Sequence, residues 1–173
     1  LTTTIGSYPK PDYLKIPDWF QGEKGTDAEY PTKGWEEAIK SLGSDFEAII
    51  NKATQEIISD QIECGIDIIT DGEVRRENYI HYHCRFLKGI DFDNLTKQTA
   101  RTGNYDCYLP TIVNKVEFDK PFLSNEFKIN QKFSSKPVKV TIPGPLTITD
   151  TIADDYYKDN KKLGIDLSIA INN

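Results

Sequence analysis

Three short runs rich in β-branched residues, TTTIGS at Thr2–Ser7, IDIIT at Ile66–Thr70 and VKVTI at Val138–Ile142, each run out into a glycine-bearing polar turn: IGS, TDGE and IPGP. β-Branched side chains suit a pleated surface, and apolar residues at successive positions of Ile66–Thr70 predict a strand buried on both faces. Between the first and second runs, Phe46, Ile49, Ile50, Ala53, Ile57 and Ile62 recur at helical spacing, behind an S-x-x-E capping-box pattern at Ser44 and Glu47 and ahead of a stop at Gly65. Strand, helix, strand, helix, strand is the order of a parallel sheet with crossover helices, so the expected class is α/β. In such folds ligands bind at the carboxyl ends of the strands, which is where all three glycine-bearing turns fall.

The remaining elements follow from local chemistry. Tyr79–Leu87 is compatible with a short helix, and Tyr105–Phe118 reads as extended around Pro110. Pro145 sits where a helix would make its first turn, and LGIDLSIAIN starts another helical pattern near the end of the chain. Residues 1–173 are expected to form a single domain, with irregular insertions about 8–43 and 88–123.

Charge narrows the partners. There are 27 acidic residues against 21 Lys and Arg, a formal net charge of -6, and no basic block, so neither nucleic acid nor an anionic lipid surface is an expected partner. No apolar run is long enough for a membrane span or a signal-peptide core, and the expected compartment is cytoplasmic. Cys64, Cys84 and Cys107 lack paired spacing and are expected to be reduced thiols without a nucleophilic role. The chain begins at Leu1 and contains no methionine, so it is expected to be part of a longer translation product.

Among the strand-end residues, Glu73 directly follows Gly72, where a carboxylate can accept hydrogen bonds from a ligand ammonium. The alternative is structural: Asp71 and Gly72 form the turn and Glu73 pairs with Arg75 or Arg76. Ser7, after Gly6, offers a hydroxyl and neighbouring backbone N–H groups suited to a carboxylate, or else a simple turn or cap. Together, Ser7 and Glu73 would clamp the two charged ends of an amino acid. His81, His83 and Cys84 are metal-capable, but only His81 and Cys84 can share a helical face, and two ligands do not close a zinc site, so no metal site is expected among them.

TTTIGSYP, QIECGIDIITDGEVRREN and KPVKVTIPGPLTITD, in that order, resemble the cobalamin-independent methionine synthase family. The resemblance implies a TIM (β/α)8-type barrel, of which this chain would supply only about the first half, since a complete barrel takes about 250 residues. It implies S-methylation of homocysteine to methionine by a methyltetrahydropteroyltriglutamate–homocysteine S-methyltransferase-like enzyme, this segment alone being inactive. Carried over by motif, Ile5 and Ser7 would contact the homocysteine backbone, and Glu73 its amino group. Zinc, which lowers a thiol pKa and keeps the sulfur nucleophilic, is implied as cofactor, with its ligands outside this chain. The implied partners are homocysteine, a methyl donor, and the remaining half of the barrel or a second copy. The pattern departs at DCYLPT, where Asp106 stands in place of an Arg beside Cys107, and at Thr151, in place of a Trp. Both changes remove features that would serve a folate, and the donor stays open among folate, corrinoid and other carriers. Two other readings are a noncatalytic half-barrel assembly module and a uroporphyrinogen decarboxylase-like barrel, the latter needing a basic pocket for which Arg75 and Arg76 are the tight pair.

Overall fold

The computed structural model describes residues 1–17, 30–100 and 105–172. Residues 18–29 of the predicted 8–43 insertion therefore lie outside the described residues, and its later part is not irregular, since Pro31–Leu42 forms a helix. The chain divides into two compact units, one of Leu1–Thr26, Gly34–Glu77 and Pro121–Thr141, the other of Asp27–Lys33, Asn78–Lys120 and Ile142–Asn173.

In the first unit the central element is helix α2 (Phe46–Glu63), reached from α1 (Pro31–Leu42) through a 3-10 turn at Gly43–Asp45. Leu42 and Asp45 have right-handed helical angles, with Gly43 between them at a φ of 54°, and Asp45 makes no side-chain cap. A capping box needs a non-helical residue ahead of the first turn. The expected box at Ser44 and Glu47 is thus corrected: Arg75 takes both oxygens of Glu47, at 2.7 and 2.9 Å.

The periodicity of α2 survives intact. Ile50, Ala53, Ile57 and Ile58 are buried, and Gly65 follows with a φ of 81°, an angle that only glycine adopts without strain. Ile58, Ile69 and Val138 form the local core, with Ile62, Ile66 and Phe133 packed against it, Phe133 being the last residue of α4 (Leu123–Phe133, reached after the second unit's hairpin). The three predicted strands are joined as parallel neighbours by single bridges, Thr3 to Ile68 and Ile69 to Val138. Gln61 takes over where ladder bonds are missing: its amide donates to Thr70 O at 2.8 Å and accepts from Thr70 N at 3.0 Å.

The second unit holds the sheet. After helix α3 (His81–Cys84), strands β1 (Leu87–Ala100) and β2 (Tyr105–Phe118) pair antiparallel, and β3 (Ala153–Asp154) joins β2 in parallel. The stretch expected as the irregular insertion 88–123 is therefore mostly a long hairpin. Among its described residues the pairing is interrupted by two register shifts. At one, Leu109 pairs with Thr96 while Thr111 pairs with Asp91, leaving Pro110, which has no N–H to give, between the pairs. The other falls at Gly89, whose φ is 85° and where an added Cβ would lie 2.7 Å from Asn114 O. Helices α5 (Pro145–Thr149), with Pro145 in its first turn, and α6 (Asn160–Ile171) fall as predicted. Asp159 caps α6 by accepting from Lys161 N and Lys162 N at 3.0 and 3.1 Å. Cys84, Ile112, Val116, Ile148, Ile152, Leu163, Leu167 and Ala170 make this unit's core.

The fold is α/β as expected, but its three-stranded sheet is the mixed hairpin sheet, while the parallel alternation is carried by bridges alone. A closed barrel is not part of the described structure.

Candidate functional site

The turn after Thr70 is held from every side. Tyr8 N donates to Gly72 O at 3.0 Å, Trp35 Nε1 to Arg75 O at 3.0 Å, and Lys10 Nζ to Arg76 O at 3.2 Å. Asp71 Oδ1 accepts from Glu73 N at 3.0 Å, an Asx turn, and Asn130 Nδ2 donates to its other oxygen at 3.1 Å. This scaffold fixes Gly72 at a φ of 66° and Glu73 at 56°. A left-handed glutamate costs on the order of 1 kcal/mol or more and persists only where surrounding contacts determine it. Gly72 cannot be replaced cheaply, since a Cβ there would lie 2.8 Å from Ile57 Cγ2 and 2.9 Å from Tyr8 Cβ. Burial pushes the Tyr8 phenol above its ordinary pKa, the charge of Asp60 and the Cys64 thiol adding to it, so it stays neutral beside this turn.

The conformation brings the Glu73 carboxylate against the other two strand ends. Ser7 Oγ donates to Glu73 Oε2, and Thr141 Oγ1 donates to Oε1 at 2.7 Å. Arg76 Nη1 lies 3.5 Å from Oε1, and Arg76 Nη2 lies 3.9 Å from Asp71 Oδ2. Gly6 makes the approach of its segment feasible: an added Cβ would sit 2.6 Å from Glu73 Oε1. Arg76 is 1% exposed and Glu73 7%, so this is a buried ionic cluster. Isolated charges at such depth would be costly, and these are paired, although of the Arg76 nitrogens only Nη1 is hydrogen-bonded while the buried Nε and Nη2 find no hydrogen-bond partner.

Of the predicted site residues, Ser7 and Glu73 meet directly, which joins two residues 66 apart in sequence. Ile5 is 96% exposed and takes no part in that hydrogen-bonded pair. Asp71 is the turn former of the alternative reading, and Glu73 lies near Arg76, as that reading expects. Sequence reasoning does not single out Thr141, the last residue but one of the third β-branched run, and offers Arg76 only as a partner of Glu73 or as half of a basic pair.

Of the arginine pair that the decarboxylase-like reading invokes, Arg75 is paired with Glu47, and Arg76 lies against Glu73, Asp71 and Thr141. Among the described residues, no group of three or more His, Cys, Asp or Glu could hold a metal ion. The ring nitrogens of His81 face Asn78 Nδ2 at 3.0 Å and Thr151 O at 2.9 Å, and His83 Nδ1 faces Tyr79 O at 2.8 Å. These residues do not fit a zinc ion. Asp106 pairs with Lys97 at 2.7 Å on the exposed hairpin, and Thr151 Oγ1 is turned back onto Thr147 O at 2.6 Å. No helix among the described residues is long and apolar enough to cross a membrane.

Comparisons with known proteins agree with the motif order. The chain is 31% identical over 172 residues to a methionine synthase of Saccharolobus solfataricus, covering 99% of this chain and 46% of that protein. It is 33% identical over 172 residues to one from Saccharolobus islandicus, with coverages of 99% and 46%. A solved B12-independent methionine synthase from Shewanella sp. W3-18-1, in complex with selenomethionine, superposes with a TM-score of 0.77 at 30% identity, covering 99% of this chain and 46% of that one. A putative vitamin-B12 independent methionine synthase from Listeria monocytogenes shares the fold with a TM-score of 0.60 at 19% identity, covering 96% of this chain and 46% of its own. The chain thus spans about half the length of the relatives it matches. Residues 1–172 match the family described as cobalamin-independent synthase, catalytic domain, and the chain belongs to that family.

Proposed function

We propose that this chain supplies the amino-acid-binding part of a methyltransferase that methylates homocysteine, or a similar amino-acid thiol, to give methionine or its analogue. The observation that carries the reading is the Glu73 carboxylate, buried and aligned at the junction of three strand ends by Ser7 and Thr141. A carboxylate has about four acceptor positions, so two hydroxyl donors leave capacity for an ammonium. In this reading the amino group of the substrate binds Glu73, and its carboxylate lies against the Ile5–Ser7 segment. The Shewanella relative was solved with selenomethionine, an amino acid carrying the same two charged groups.

Coverage of 46% of the relatives supports a (β/α)8-type barrel completed by a further half, from the same polypeptide or a second copy. In this reading the zinc ligands that the family implies belong to that other part of the barrel. The division of labour is then plain: this segment grips and orients the amino-acid end, and methyl transfer to sulfur takes place on groups it does not itself provide. The methyl donor is left unassigned, although the Lys97 pairing of Asp106 supplies no free cation at the place where a folate tail would want one.

Titration calorimetry of the full natural chain with homocysteine tests the reading. Glu73→Gln preserves shape and removes charge, and is expected to weaken binding about tenfold or more, the value of a charge-assisted bond. Equal affinity for the two proteins would reject the ammonium role.

A further inference from the structure

Thr141 has one proton, and the structure determines where it goes. Arg76 Nη1 donates to Thr141 Oγ1 at 2.7 Å and to Thr141 O at 3.1 Å, and a guanidinium has no acceptor. The threonine oxygen must therefore accept from Arg76, which leaves its own O–H for Glu73 Oε1, at 2.7 Å. An ordinary threonine hydroxyl rotates among whatever acceptors it finds, whereas this one is committed. Arg76, 1% exposed, is itself immobilised by packing and by Asp71 and Glu73 on either side of it.

We infer that Thr141, oriented by Arg76, is a positioning residue for the substrate ammonium: it sets the rotation of the Glu73 carboxylate so that its unused lone pairs are presented to the ligand. The inference rests on the proposed ammonium-binding role of Glu73. Three features of the cluster make the orientation specific. Oε2 is held by Ser7, Oε1 by Thr141, and Gly6 admits the carboxylate so closely that no side chain fits between its backbone and Oε1. Two hydroxyl donors on opposite oxygens define the carboxylate plane, which one alone would leave free to turn. Preorganising a charged acceptor in this way lowers the cost of ordering it when the ligand arrives. The chain thereby uses the third strand end, which contributes no charge of its own, to determine how the second presents its charge.

The test is calorimetric and uses two ligands on the full natural chain: homocysteine, and γ-mercaptobutyrate, which keeps the thiol and carboxylate but lacks the amino group. Thr141→Val matches the shape of threonine without its hydroxyl; it removes the Oγ1 acceptor from Arg76 Nη1, whose bond to Thr141 O is retained. Homocysteine affinity is expected to fall about tenfold in Thr141→Val and to return to within about twofold of wild type in Thr141→Ser. Affinity for γ-mercaptobutyrate should be the same in all three. Combining Thr141→Val with Glu73→Gln should cost no more than Glu73→Gln alone, since the threonine acts through the carboxylate. Unchanged homocysteine affinity in Thr141→Val, beside a loss in Glu73→Gln, would overturn the inference and leave the role of Glu73 standing. A loss shared by both ligands, additivity in the double variant, or no rescue by serine would also overturn it. No effect of Glu73→Gln would remove the ammonium role and this inference with it.

Discussion

The Asp71–Arg76 turn and the β1–β2 hairpin are both dense in charge, yet they use it in opposite ways. On the hairpin, Lys97 pairs with Asp106 at 2.7 Å and Lys115 with Glu117 at 3.5 Å, and all four side chains are about half exposed. In the turn, Arg76 and Glu73 meet at 3.5 Å with side-chain exposures of 1% and 8%, and Glu73 also accepts from Ser7 and Thr141, both far away in sequence. Water screens the first kind of pair, so its net value is small. The second kind has surrendered its hydration, and removing one partner strands the other. Charge is informative about function where the fold has buried it, since keeping it there requires a structure built around it.

The contrast can be broken most severely at Arg76. Arg76→Ala leaves Glu73 and Asp71 without their shared guanidinium, and is expected to cost about 3–5 kcal/mol of stability in denaturant unfolding. The matching truncation on the hairpin, Lys97→Ala, is expected to cost no more than about 0.5 kcal/mol. Comparable losses at the two positions would erase the distinction.

Backbone constraint gives the hairpin its own sensitive point. Gly89→Ala forces a side chain into a φ of 85° and against the carbonyls of Asn114 and Lys115. A loss of about 2–4 kcal/mol, with the altered amide signals in NMR confined to the β1–β2 pairing, is expected. A neutral substitution there would show that the register shift is not tied to glycine.

The smallest effect concerns Glu47, which lies between the two extremes. Its hydrogen bonds to Arg75 hold its carboxyl below the ordinary range, burial opposing them and the guanidinium charge adding to them. A carboxyl whose folded pKa is depressed contributes stability above its unfolded pKa, about 4.3, and loses it as pH falls through the lower folded value. With 62% of the Glu47 side chain exposed, the contribution is expected to be about 0.5 kcal/mol after screening. Comparing acid unfolding of wild type and Glu47→Gln checks it: the two stability curves should converge below the folded pKa and separate above about pH 4.5. A gap independent of pH would assign the effect to packing instead.

Much of the fold was legible because it depends on short-range periodicity. The apolar spacing of α2, the Gly65 stop, Pro145 in the first turn of α5 and the extended reading of Tyr105–Phe118 all reappear in the structure. The S-x-x-E pattern failed as a capping box because a cap depends on the dihedral angles before the helix, and Asp45, directly ahead of α2, has helical values and makes no side-chain cap. The length and pairing of the hairpin were hidden for a related reason: β1 carries Gly89, Asp91, Asp93 and Asn94, residues poor in strand propensity, and the pairing with β2 overrides them.

By itself, the sequence determined that glycine-bearing polar turns close three β-branched runs, that Glu73 occupies one and Ser7 another, and that the motif order is that of the cobalamin-independent synthases. Those facts are local, read from neighbouring residues and their order. Only the tertiary structure decided that Ser7 and Thr141 converge on one carboxylate, that Arg76 is buried beside it, and that Arg75 is diverted to Glu47. The physical reason is that such pairings span dozens of residues and depend on which strand ends become neighbours. Parallel bridging of the three runs makes that choice, and no spacing along the chain encodes it.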